Sequence, residues 1–147
     1  MNSTQTLQQM HGLRLQGMYQ AYRSQLELPM NQQLESHELI AHLIQSEELN
    51  RANEKTAYYL KLAKLRLPAT LEQIECGASR NLSKQQLATL AEGLYLSNGE
   101  NILITGATGC GKSFMACALG HQACLQGYKT TYLNMNRIPS ANPVISE

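Results

Sequence analysis

The chain has 147 residues, 43% of them hydrophobic, and a formal net charge of +1. That balance excludes a globally basic nucleic-acid binder. No apolar run reaches the roughly 18 residues of a membrane-spanning helix, and MNSTQTLQQMHGLRLQ lacks the apolar core of a secretory leader, so a cytoplasmic protein without membrane attachment is expected.

In chain order, Leu15, Met18, Tyr19, Tyr22 and Leu26 recur at i, i+3, i+4, i+7 and i+11, one apolar helix face that Pro29 closes. Ser36 is placed to cap a second helix with Leu39, Ile40, Leu43 and Ile44 as its buried stripe. This helix runs towards Pro68 through a mostly polar middle, Gln45 to Thr56, which reads as solvated or partner-facing. In LSKQQLATLAEGLYL, Ser83 caps a further helix with Leu87, Leu90, Ala91 and Leu94 on one face, and Asn98-Gly99 turns the chain towards the apolar run Asn101 to Thr105. These limits predict a helical N-terminal domain over 1–67, a connector with one helix over 68–98 and a P-loop core over 99–147.

Charge is spread unevenly. Residues 1–50 set Arg14 and Arg23 against Glu27, Glu35, Glu38, Glu47 and Glu48, whereas 51–66 set Arg51, Lys55, Lys61, Lys64 and Arg66 against Glu54. Two readings stand for the basic stretch: a DNA-backbone contact surface with Tyr58 and Tyr59 interleaved, or the solvated face of a long helix, the commoner origin of such runs. The tyrosines read as core rather than as base-stacking platforms. The cysteines show no C-x-x-C, and Cys117 and Cys124 are seven apart on one helix, roughly 10 Å by helix rise and too far to bridge. They read as small buried hydrophobes and not as metal ligands.

The chemistry is carried by GATGCGKS: Gly106, Ala107, Thr108, Gly109, Cys110, Gly111, Lys112 and Ser113. This spacing fits G-x-x-x-x-G-K-[ST], the Walker A pattern. Its glycines let consecutive N–H groups turn inward to phosphate oxygens. Lys112 supplies a point charge for the β- and γ-phosphates, and the Ser113 hydroxyl is placed to ligate Mg2+. NILIT before the loop and KTTYLNM after the following helix read as strands, with Gly127 as the C-cap between, so an α/β fold with an incomplete βαβ unit is predicted. ATP and Mg2+ are the implied cofactors.

The acid that should complete such a site is missing. All eleven acidic residues are Glu, and after Ser113 only Glu147 remains. P-loop NTPases use a Walker B Asp at the end of a later strand to help fix magnesium. The tail RIPSANPVISE carries Pro139 and Pro143, which argue against a helix interior and a central strand, and Arg137 and Lys129 are too few to assign an arginine finger. Nucleotide binding is therefore expected, and turnover by this chain alone is not.

Taken together, LRLQGMYQAYRSQL, SEELNRANEKTAYYLKLAKLRLPATLEQIE and LYLSNGENILITGATGCGKSFMACALGHQACLQGYKTTYLNMNR resemble the IstB-like ATP-binding proteins, the helper ATPases encoded beside the transposase in a class of bacterial insertion sequences. These are similar to the DnaC helicase loaders within the AAA+ group. The resemblance covers Leu13 to Arg137. It implies an ATP-binding helper of DNA transposition, with transposase and DNA as partners, Gly106 to Ser113 as the phosphate site and the N-terminal helices as the partner-contacting part. The family's downstream Walker B acid, sensors and arginine finger have no counterpart here, so the expectation is a truncated helper, a reading that intact in-frame coding for a Walker B strand after codon 137 would sink. Two alternatives stay open: a non-catalytic helical module that binds transposase or co-assembles with full-length helper subunits, and a DnaC-like helicase loader.

Overall fold

The Asn2 side chain opens the first helix, its Oδ1 accepting from Gln5 N at 2.9 Å, so α1 (Ser3–Gly12) begins before any apolar period is established. The computed structural model describes residues 2–135. The chain divides into two compact units, one up to Lys55 and one from Thr56 onward.

In the first unit, a left-handed Arg14 (φ 60°) separates α1 from α2 (Gln16–Glu27), which ends at an extended Leu28 just ahead of Pro29, as the proline requires. The buried face of α2 is made of Gly17 and Ala21, with Met18, Tyr19 and Tyr22 half-buried around them. The long helix α3 (Ser36–Ala63) starts with Leu39 N donating to Glu35 O at 2.8 Å, which puts Glu35 rather than Ser36 at the capping position. Its expected stripe is only half correct: Leu39 and Leu43 are half-buried, but Ile40 and Ile44 are 59% and 46% exposed. Within this unit, what α3 buries instead is Glu47.

Gly17 explains that inversion. A Cβ there would lie 2.4 Å from Ser46 O and 2.6 Å from Glu47 Cα, so only a bare backbone lets α2 approach α3 so closely. At this contact Met18 N donates to Glu47 Oε2 at 3.0 Å, and Arg51 Nε donates to Glu47 Oε1 at 2.9 Å. The carboxylate thus serves a free first-turn N–H of α2 from another helix. Burial pushes the Glu47 carboxyl up, but the hydrogen bonds from Met18 N and Arg51, the guanidinium charge and the Gly17 N–H together hold it below its ordinary value. A carboxyl depressed on folding contributes stability that is present above its unfolded pKa and lost as pH falls through the folded one. Acid melts should therefore show a loss of helix stability beginning below about pH 4.5 that a Glu47→Gln variant lacks, and identical acid limbs would refute the assignment.

In the second unit, Lys64 in the left-handed region (φ 50°) stops α3 well before Pro68. Ala69 and Leu71, the latter in a short 3-10 turn (Leu71–Gln73), pack with Cys117, Ala118 and Leu119 as the core. The helix capped by Ser83 is present as α4 (Lys84–Glu92): Ser83 Oγ accepts from Gln86 N at 3.1 Å and Gln86 Oε1 accepts from Ser83 N at 3.0 Å, a reciprocal capping box. Gly93, left-handed at φ 74°, breaks it before the short α5 (Leu94–Ser97), so Leu94 leaves the predicted face and is 57% exposed. The last described helix, α6 (Lys112–Leu125), buries Cys117, Ala118, Leu119, Ala123 and Cys124, and Gly127 (φ 87°) ends it with its N–H on Cys124 O, as expected of a glycine after a helix.

The α/β expectation does not hold. The described residues are helices, turns and extended connections, with no strand and no sheet, and the only bridge among them is antiparallel, Gly77 to Leu82. The segment read as a first strand, Asn101 to Thr105, does alternate: Ile102 and Ile104 face the core while Leu103 is 88% exposed. Alternation, however, is a property of one segment, and a strand needs a paired neighbour. In the second segment, Thr130 to Met135, Tyr132 N donates to Ala63 O at the end of α3, 2.8 Å away, instead of entering a parallel ladder with Asn101 to Thr105. The βαβ unit is therefore not formed. The proline-bearing tail and Arg137 lie outside the described residues.

Candidate nucleotide site

The eight-residue loop is shaped by its glycines. Gly109 and Gly111 lie in the left-handed region (φ 82° and 94°), which a side chain would resist, and Cys110 N donates to Ala107 O at 3.2 Å across the turn. At Gly106 a Cβ would stand 2.7 Å from Cys110 Sγ, so a side chain there would make the exposed Cys110 turn aside. The loop passes directly into α6, whose first helical bond is Met115 N to Gly111 O at 3.0 Å, so the N–H groups of the first turn have no carbonyl within the helix to serve. That is the arrangement in which a helix start favours an anion.

Lys112, half-buried, folds back so that Nζ donates to Gly106 O at the mouth of the loop. The other seven residues, including Ala107, Thr108 and Ser113, are exposed. An open groove of about 1010 Å3 borders the loop. Its lining includes Ile102–Thr105, Cys110, Gly111 and Lys112, together with residues between Gln73 and Leu90, among them Arg80; Ser113 does not line it. The contribution of the stretch between Gln73 and Leu90 was not foreseen. Its one local signal was the Ser83 cap, which marks where α4 begins but not what it faces.

The other expected residues are placed less favourably. Arg51 is engaged by Glu47 through its Nε, and Arg51 and Lys55 belong to the first unit while Lys61, Lys64 and Arg66 belong to the second. Lys61, Lys64 and Arg66 are exposed. Tyr58 is 58% exposed and so is not core, while Tyr59 is half-buried with its ring centroid 6.0 Å from that of Tyr58. All four cysteines are free; Cys117 and Cys124 are buried as expected, Cys76 is half-buried, and Cys110 is exposed on the loop. Among the described residues, no group of three or more His, Cys, Asp or Glu is placed to hold a metal, and no helix is long and apolar enough to cross a membrane.

Residues 8–141 match the family described as IstB-like ATP binding protein. The chain belongs to that family. Similar proteins carry the same association: this IstB-like chain is 40% identical over 94% of its length to a Pseudomonas fluorescens protein named as an ATP-binding protein of insertion sequence IS1162. It is 36% identical over 88% of its length to the insertion-sequence ATP-binding protein y4uH of Sinorhizobium fredii. It spans 60% of the first relative and 52% of the second.

Proposed function

We propose that this chain is an ATP-binding helper of DNA transposition, and that Gly106 to Ser113 is where it holds the nucleotide. The observation that carries the reading is the loop itself: two left-handed glycines lead into the unserved N–H groups of α6 with a lysine ammonium at the mouth, in a chain whose relatives are named for ATP binding. The loop amides and Lys112 hold the β- and γ-phosphates, and the Ser113 hydroxyl ligates Mg2+ brought with the nucleotide. The protein's part is to fix the phosphate chain and to offer backbone dipoles where its charge is densest.

Hydrolysis is not assigned to these residues. Residues 114–135 hold no Asp or Glu, so the described residues that follow the loop add no carboxylate to share the metal. Transposase and DNA are the proposed partners. Exposed Lys61, Lys64 and Arg66 can meet a phosphate backbone as sequence-independent contacts.

Titration of the purified chain with a fluorescent ATP analogue, with and without Mg2+ and with unlabelled ATP as competitor, tests the reading. Saturable, competable binding without measurable phosphate release is the expected result. No saturable binding would remove the nucleotide role, and steady phosphate release would remove the non-hydrolytic one.

A further inference from the structure

Lys112 is not the only cation on the groove. Arg80 lines it too, held by a closed turn: Gly77 N donates to Leu82 O at 3.0 Å, Arg80 N donates to Gly77 O at 3.0 Å, and Asn81 takes a left-handed conformation (φ 53°). The Ser83 capping box then fixes the chain immediately downstream. Arg80 is thus presented by a backbone tied at both ends. Its guanidinium is 3.9 Å from the Glu75 carboxylate, a loose pair with both side chains largely in water, and Glu75 lines the same groove.

We propose that Arg80 is a second cationic contact for the phosphates of the nucleotide bound at the Gly106–Ser113 loop, and that Glu75 is the counter-ion it gives up when that ligand enters. The inference rests on the nucleotide reading above. A guanidinium matches phosphate oxygens with two parallel N–H donors, which the lone ammonium of Lys112 does not, and a phosphate chain offers it more charge than one exposed carboxylate. Glu75 has the opposite effect on the ligand, placing a negative charge on the groove that receives an anion. The two residues therefore shift affinity in opposite directions, which packing alone would not predict.

The test is displacement of a fluorescent ATP analogue by ATP and by tripolyphosphate, at low ionic strength, on the unaltered chain and on Arg80→Ala, Arg80→Lys, Glu75→Gln and Lys112→Ala. Because Arg80 is partly exposed, Arg80→Ala should weaken both ligands by roughly two- to fivefold, with Arg80→Lys recovering part of that, and Glu75→Gln should tighten both by about twofold. Added salt should shrink all these differences. Unchanged affinities in Arg80→Ala alongside a large loss in Lys112→Ala would overturn the Arg80 contact and leave the loop reading intact. Loss of ATP but not tripolyphosphate affinity in Arg80→Ala would also overturn it, since the contact would then be to the nucleoside. An unaffected Lys112→Ala would overturn the loop reading itself.

Discussion

Replacing Lys112 by alanine is expected to weaken ATP by more than about tenfold, that is, by more than about 1.4 kcal/mol. The ammonium is the one formal positive charge within the loop, and its Nζ reaches the loop mouth at Gly106 O. The loop amides that remain can still donate to phosphate oxygens, but they carry only partial charges, and the full positive charge that the lysine sets against the phosphates is lost. The fold should survive, because Lys112 is the first residue of α6 and alanine is the better helix former. Far-UV circular dichroism and a thermal melt beside the ATP titration would check this. A melt like that of the unaltered chain, with binding lost, supports the assigned role, whereas undiminished binding would remove it. Lys112→Arg should not restore full affinity, since a planar fork cannot occupy the position of a compact ammonium at a tight loop.

What the sequence made legible was governed by distance along the chain. Pro29, Ser83 and Gly127 act on neighbours a few residues away, and the helix ends they predict are present. The glycine loop is legible for the same reason, since Gly109 and Gly111 have the backbone freedom the motif needs. Features that depend on a distant partner were not. Glu47 lies in a polar stretch that reads as solvated, and it is buried because Gly17 and Met18, far away in sequence, meet it. Ile40 and Ile44 have helical spacing but no element in their unit covers them closely, so a periodic stripe overstated the core. The strands failed in a similar way. Ile102 and Ile104 show the alternation of a half-buried strand, yet pairing is decided by which backbone lies alongside, and Tyr132 N is spent on Ala63 O. At the site, Arg80 was missed because nothing in ASRN announces a phosphate contact; only the closed turn before α4 brings it to the groove.

Gly17→Ala should be among the most destabilising single-methyl changes available in the first unit. Glycine to alanine within a helix ordinarily gains up to about 1 kcal/mol from propensity. Here the added Cβ would lie 2.4 Å from Ser46 O, 2.6 Å from Glu47 Cα and 2.8 Å from Glu47 N, all backbone atoms of α3, so no side chain can turn aside to admit it. The helices must separate, at a cost of about 1–3 kcal/mol for overpacking. Separation also stretches the Met18 N to Glu47 Oε2 hydrogen bond, and leaving a buried acceptor unserved costs a further 1–3 kcal/mol or so. Packing therefore outweighs propensity, and the sign of the change is the test. Gly12 supplies the control: it is also helical, at the end of α1, and a Cβ there meets nothing within 4 Å. Urea or thermal melts should show Gly12→Ala neutral or slightly stabilising and Gly17→Ala destabilising by several kcal/mol. If the two variants melt alike, α2 and α3 do not approach as closely as Gly17 permits, and the buried position of Glu47 goes with that contact.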